Sequence, residues 1–113
     1  MTCSMSFEVR TIPPFDRQVK RLAKKYPSIK QDLRALGGSL QANPKQGSAL
    51  GNGSYKVRMP ISSKGRGRSG GARIITHLIV RAERIYLLAV YDKSEQATLS
   101  DKEIRVLIDQ IPE

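Results

Sequence analysis

Apolar residues recur with two different periods along this chain, and the changes of period divide it into elements. After Pro13-Pro14, the residues Phe15, Val19, Leu22, Ala23 and Tyr26 fall at helical spacing, with Arg17, Lys20, Arg21, Lys24 and Lys25 between them. That pattern predicts a basic amphipathic helix over 15–26, stopped by Pro27, which has no backbone N–H to continue the ladder. Ser28-Ile29-Lys30-Gln31 has capping-box spacing and predicts a second helix with a core stripe of Ile29, Leu33, Leu36 and Leu40. Gly37-Gly38 weakens that helix near its end by roughly 1 kcal/mol per glycine relative to Ala. Elsewhere the period is two. Met5, Phe7 and Val9 alternate with polar neighbours in a short first strand over 5–10. Asn43-Pro44, Gly47, Gly51 and Gly53 mark a long turn region. Tyr55, Val57 and Met59 then alternate with Lys56 and Arg58, a strand over 54–60 with one apolar and one cationic face. Residues 72–81 and 84–92 are rich in β-branched and aromatic side chains, and the short link Arg81-Ala82-Glu83-Arg84 joins them as a hairpin. Ser100-Asp101-Lys102-Glu103 is a second capping box, opening a C-terminal helix that carries Ile104, Leu107, Ile108 and Ile111.

The order β-α-α-β-β-β-α predicts an α+β fold, a small and mainly antiparallel sheet with the two N-terminal helices on one face. At 113 residues without an internal repeat, the chain reads as a single domain, 1–113, with one modest core. Cys3 is the lone cysteine, so no internal disulfide forms and a reducing compartment fits. No apolar run approaches the roughly 18 residues of a spanning helix, and MTCSMSFEVR does not have the form of a signal sequence. A cytoplasmic protein with no membrane contact is expected.

Charge changes the picture. Twenty basic residues against ten acidic give a net charge of +10 and a pI near 10.2. The cations are not evenly spread: from Leu33 to Ala82 there is no Asp or Glu, yet there are nine Lys or Arg. Within that block SYKVRMPISSKGRGRSGGARIITHLIV runs from strand through a basic glycine-rich loop to strand. Such a block builds a positive surface suited to a phosphate backbone, although an acidic protein partner or a merely solubilising surface would also accommodate it.

The candidate chemistry lies on these strands. Lys56 and Arg58 are two residues apart and share a sheet face. Arg73 shares a face with Ile75, His77 and Ile79 in the next strand. If the two faces coincide, three cations converge on a patch uncovered by helices, an arrangement that a bound polyanion would relieve. A Lys among Arg neighbours releases its proton more readily and can act as a general base. Arg holds phosphate and stabilises charge developing on it. Those capacities suit metal-independent RNA cleavage, in which a deprotonated 2′-OH attacks the adjacent phosphorus. The alternative is that Lys56 and Arg58 form the solvent side of an edge strand. In the loop, Lys64, Arg66 and Arg68 could wrap phosphates, while G-x-x-x-x-G-K-[ST] is absent. His77 stands without a flanking carboxylate or cysteine and reads as a strand residue. No acidic or histidine cluster has metal-ligand spacing, and neither metal nor other cofactor is implied. With two Phe and four Tyr in all, base stacking falls chiefly to Tyr55 and Tyr91.

The segments YKVRM (55–59), KGRGRSGGARII (64–75) and YLLAVYDKSE (86–95) resemble the toxins of bacterial RelE/HigB type toxin–antitoxin modules. The likeness extends through the two N-terminal helices, the NP turn at 43–44 and the final LSDKEI helix. The glycine loop followed by R-I-I and then YLL…Y-x-K-x-E is closest to the HigB-like branch. This resemblance implies a microbial-ribonuclease-like sheet with helices on one side. It also implies cleavage of messenger RNA on the ribosome, a cognate antitoxin, and a toxin–antitoxin hetero-oligomer. Lys56 and Arg58 match the two cationic positions of the family's first long central strand, and Arg73 the arginine that binds the scissile phosphate. Lys93 falls near a further basic position after the last strand. The tyrosine used there for stacking or acid chemistry would fall around Leu99, where this sequence has none; Tyr91, eight residues earlier, is the candidate substitute, and the general acid stays open. The related ParE toxins share the scaffold and inhibit DNA gyrase without cutting RNA. That activity, or an inactive relative that only binds RNA and antitoxin, is the alternative.

Overall fold

In the computed structural model, which describes residues 7–64, 71–96 and 98–112, the hydrophobic pattern resolves into a five-stranded mixed sheet and three helices. The chain runs β1 (Glu8–Thr11), α1 (Pro13–Lys25), α2 (Ile29–Ala42), β2 (Ser48–Gly51), β3 (Ser54–Met59), β4 (Ala72–Ile79), β5 (Arg84–Asp92) and α3 (Asp101–Ile108). The strands are ordered β1-β5-β4-β3-β2, and only the β1–β5 pairing is parallel. β1 starts later than the expected 5–10, with Phe7 packed against the core just before it; Met5 lies outside the described residues.

α1 begins at Pro13-Pro14, two residues before the apolar stripe announces it. Proline fits there because first-turn N–H groups lack intrahelical partners anyway. Asp16 in its first turn and Lys24 and Lys25 in its last complement the helix dipole. The expected capping box at Ser28 does not form. Ser28 sits in the helical region (φ −83°, ψ −4°), whereas a capping side chain reaches its target from extended backbone. Its hydroxyl instead donates to Asp32 Oδ2 at 2.8 Å. At Ser100 the backbone is extended and the box closes: Ser100 Oγ accepts from the Glu103 N–H at 3.1 Å, and Glu103 Oε1 accepts from the Ser100 N–H at 2.8 Å.

β2 lies in the expected turn region. All four of its residues are exposed, so no buried face imposes an alternation that a reader of the sequence could detect. It pairs with β3, with an irregularity between Ala49 and Gly51. The β4–β5 hairpin forms as expected, with one departure: Ile75 pairs with Ala89 and Thr76 with Leu87, leaving Leu88 as the extra residue of a bulge.

At the centre of β4 the consecutive residues Ile74, Ile75 and Thr76 are all fully buried, so both sheet faces are covered there. α1 and α2 cover one face, burying Phe15, Leu22, Ile29, Leu36 and Leu40. The C-terminal segment lies over the other, where Lys56 Nζ donates to Thr98 Oγ1 at 3.3 Å. There Ile104, Arg105 and Ile108 of α3 line a groove with Leu50, Asn52 and Ser54. Beyond Leu87, β1 no longer covers the edge of β5. Gln18 of α1 serves that edge, its Oε1 accepting from the Val90 N–H at 3.0 Å.

Candidate active site

Strand alternation places Ser54, Lys56 and Arg58 on one face of β3. The register then sets Arg58 directly opposite Arg73, and Arg73 directly opposite Tyr91. A row Arg58–Arg73–Tyr91 therefore crosses three strands, with Lys56 one step along it. Directly opposed residues of antiparallel strands have Cβ atoms about 4.5–5.5 Å apart, and like charges there repel. Arg58 is exposed and Lys56 half-buried. Arg73 is only 8% exposed and Tyr91 4%. The patch, expected to be uncovered by helices, is thus partly covered, and Thr98 meets it at Lys56.

The electrostatics of the row are one-sided. Arg73 Nη1 donates to the Ala72 carbonyl at 3.4 Å, a long bond, and no described carboxylate pairs with Lys56, Arg58 or Arg73. Two of the glutamates are engaged elsewhere. Glu8 bonds Arg10 at 2.7 Å and Arg84 at 3.3 Å, and Glu95 bonds Lys25 at 2.8 Å and Arg21 at 3.6 Å. The hydrogen bond from Lys25 is the main reason the Glu95 carboxyl sits below its ordinary pKa. A guanidinium removed from water without a strong acceptor is costly. Beside it, the Tyr91 hydroxyl is buried and has no hydrogen-bond partner among the described residues. A buried cation and a buried unsatisfied hydroxyl on one row make a site poised to accept an oxyanion.

Backbone geometry holds the row in register. Gly71 has φ +76°, and a Cβ there would lie 2.9 Å from the Met59 carbonyl oxygen, so only glycine lets the chain enter β4 this close to the end of β3. The Lys93 N–H donates to the Gly71 carbonyl at 3.1 Å, which ties the end of β5 to the same corner. The Lys93 side chain is exposed there.

The remaining candidates fall out differently. Tyr55 is opposite Thr76 and belongs to the helix-covered face, where it packs half-buried against the core. Alternation with Lys56 forces it there, so it does not join the cationic row. Arg66 and Arg68 lie outside the described residues, as does the Lys64 side chain, whose backbone ends a 3₁₀ turn (Ser62–Lys64). His77 faces Ser54 across the strands, with Nδ1 3.0 Å from Ser54 Oγ. Burial lowers its pKa and favours the neutral ring.

Two neighbours of the site carry no sequence signal. Thr98 meets Lys56 from far along the chain. Asp32, the last acid before the acid-free block, anchors the segment leading into the glycine loop, accepting from the Ser62 N–H at 2.9 Å and Ser62 Oγ at 2.6 Å. Burial works to raise the Asp32 pKa, but these donors and Ser28 outweigh it, and the carboxyl lies below its ordinary value.

The sequence matches the family model for the RelE toxin of the RelE/RelB toxin–antitoxin system over residues 16–110. The chain belongs to the RelE toxin family. Its fold is similar to that of a mutant E. coli RelE toxin in the free state, with two arginines replaced by alanine (TM-score 0.64, 14% identity, covering 95% of this chain and 99% of that one). Isolated E. coli RelE matches with TM-score 0.56 and 15% identity, covering 94% of this chain and 100% of the other. A chain of the RelBE2 toxin–antitoxin complex of Mycobacterium tuberculosis matches with TM-score 0.57 and 18% identity, covering 76% and 90%. At these identities the likeness establishes the fold, and the family match establishes membership.

Proposed function

We propose that this chain is a cytoplasmic toxin that cuts messenger RNA on the ribosome, without a metal ion, by attack of a 2′-OH on the adjacent phosphate, and that a cognate antitoxin holds it inactive in a hetero-oligomer. The observation that carries the reading is the row Arg58–Arg73–Tyr91 flanked by Lys56, cationic and lacking any described carboxylate. In this reading Arg73 grips the scissile phosphate, and Arg58 adds to the charge stabilisation as the phosphorus becomes crowded. Lys56 takes the 2′-OH proton. The Tyr91 hydroxyl protonates the leaving 5′ oxygen, a role its buried and unpartnered state supports. Lys93, at the rim, neutralises the flanking phosphates, and Lys64, Arg66 and Arg68 hold the strand. The 2′-OH requirement makes RNA the substrate and DNA not. Membership in a toxin–antitoxin family supports the antitoxin partner; the HigB-like placement rests on the loop-and-strand motif alone.

The test is inducible expression in cells lacking the antitoxin, with RNA 5′ ends mapped there and in reactions of purified protein with and without ribosomes. New ends within coding sequences, dependent on ribosomes, are expected. Growth and RNA unaffected by the wild-type chain would overturn the proposal.

A further inference from the structure

Asp92 ends β5 between Tyr91 and Lys93, and its carboxylate is fully buried. Alternation turns it away from the cationic row, onto the face that α1 covers. There Tyr26, the residue that closes α1, donates its hydroxyl to Asp92 Oδ2 at 2.5 Å. Asp92 Oδ1 accepts from the Ser94 N–H at 3.0 Å and from Ser94 Oγ at 2.8 Å. The Asp92 carbonyl accepts from the N–H groups of Glu95 and Gln96. One buried carboxylate therefore shapes the turn after β5 and fastens it to the end of α1.

A second clamp lies outside the first. Glu95, in that turn, is bonded to Lys25 and Arg21 on the exposed side of α1. Exposed pairs of this kind contribute little, while a buried charge with short donors is strongly position-determining. The inner clamp is thus the one that fixes geometry. Its output is local: the residue after Asp92 donates its N–H to the Gly71 carbonyl, and Gly71 leads two residues later into Arg73.

We propose that Tyr26 and Asp92 are positioning residues of the site: their hydrogen bond, made on the far face of the sheet, sets the β5 end so that Tyr91 and Lys93 lie in register with Arg73. The inference rests on the proposed RNA cleavage for its consequence in rate, but its structural part does not. Among the described hydrogen bonds, neither side chain bonds to a member of the row. Tyr26→Phe keeps the core shape and removes the hydroxyl that makes the bond.

The experiment has two readouts on wild-type, Tyr26→Phe and Glu95→Gln proteins. Hydrogen exchange at the Lys93 amide is measured together with that of Ile75 at the sheet centre. Tyr26→Phe is expected to speed exchange at Lys93 by about tenfold or more and leave Ile75 unchanged, the mark of local opening. Single-turnover cleavage on ribosomes is then expected to slow by about tenfold or more at saturating ribosomes with half-saturation unchanged, since misplacement affects the chemical step. Glu95→Gln is expected to change neither. Unaltered Lys93 exchange in Tyr26→Phe would overturn the clamp, even if the wild type proved not to cleave at all. Faster exchange with an undiminished cleavage rate would overturn the positioning role while leaving the RNA-cleavage reading intact.

Discussion

In the proposed reaction Arg73 does two things that its burial makes inseparable: it holds the phosphate, and it meets the negative charge that grows there. Removing one such preorganised donor typically costs about 3–4 kcal/mol of transition-state stabilisation. Arg73→Ala is therefore expected to cleave roughly a hundredfold more slowly, or worse, while ribosome affinity, measured by co-sedimentation, stays near that of the wild type. Lys56→Arg keeps the charge but cannot release a proton near neutral pH, so it is expected to disable cleavage as well. A nearly silent Lys56→Arg would assign the base to another group. At this scale the sequence was informative about position and silent about surroundings. The two-residue spacing of Lys56 and Arg58 was enough to put them on one face. The same alternation puts Tyr55 on the opposite face of the sheet from that pair. That Arg73 is buried, and that Tyr91 lies directly across from it, depends on a strand register that no single segment encodes.

The elements differ in how much of themselves they declare. α1 and the β4–β5 hairpin bury one face or both, and burial writes a period into the sequence. β2 buries nothing and was legible only as glycines. The two capping-box patterns look alike, yet only Ser100 is in extended backbone, so spacing without conformation decided one of them wrongly. Ser100→Ala should cost about 1 kcal/mol and lower the melting temperature by roughly 4 °C. A shift indistinguishable from zero would show that the cap is not made in solution. Gly71→Ala forces a side chain into a left-handed conformation against the Met59 carbonyl. It should destabilise the fold by about 1–3 kcal/mol in denaturant titrations, and impair cleavage beyond what stability explains, because the β4 entry carries Arg73.

On the scale of the whole molecule, charge and protonation set the working conditions. With +10 net charge and an acid-free block, binding to single-stranded RNA should weaken steeply with salt, each lost phosphate contact reducing the log–log slope by about 0.7. Replacing Lys64, Arg66 and Arg68 together with Ala should flatten that slope, and an unchanged slope would remove the loop from the RNA path. His77 adds a pH term. Its folded-state pKa is lowered by burial, so the unfolded chain binds the proton more readily. The contribution is fully present above the ordinary histidine value near pH 6.5 and is lost progressively as pH falls from there through the lowered folded-state value. Denaturant titrations at pH 7.5 and pH 5.5 should show a larger acid loss of stability for wild type than for His77→Gln.

The central claim is that this sheet cuts RNA through its own 2′-OH, and the chemistry of the ends tests that claim directly. Purified protein is incubated with ribosomes programmed with a messenger carrying a single 2′-deoxy substitution at the mapped cut, beside the all-ribose control. The control should yield a 5′-hydroxyl end on the downstream product and a 2′,3′-cyclic phosphate or its opened form upstream. The deoxy messenger should remain intact at that position. Cleavage of the deoxy messenger, 5′-phosphate ends, or full activity in an Arg73→Ala, Lys56→Ala double variant would contradict the account.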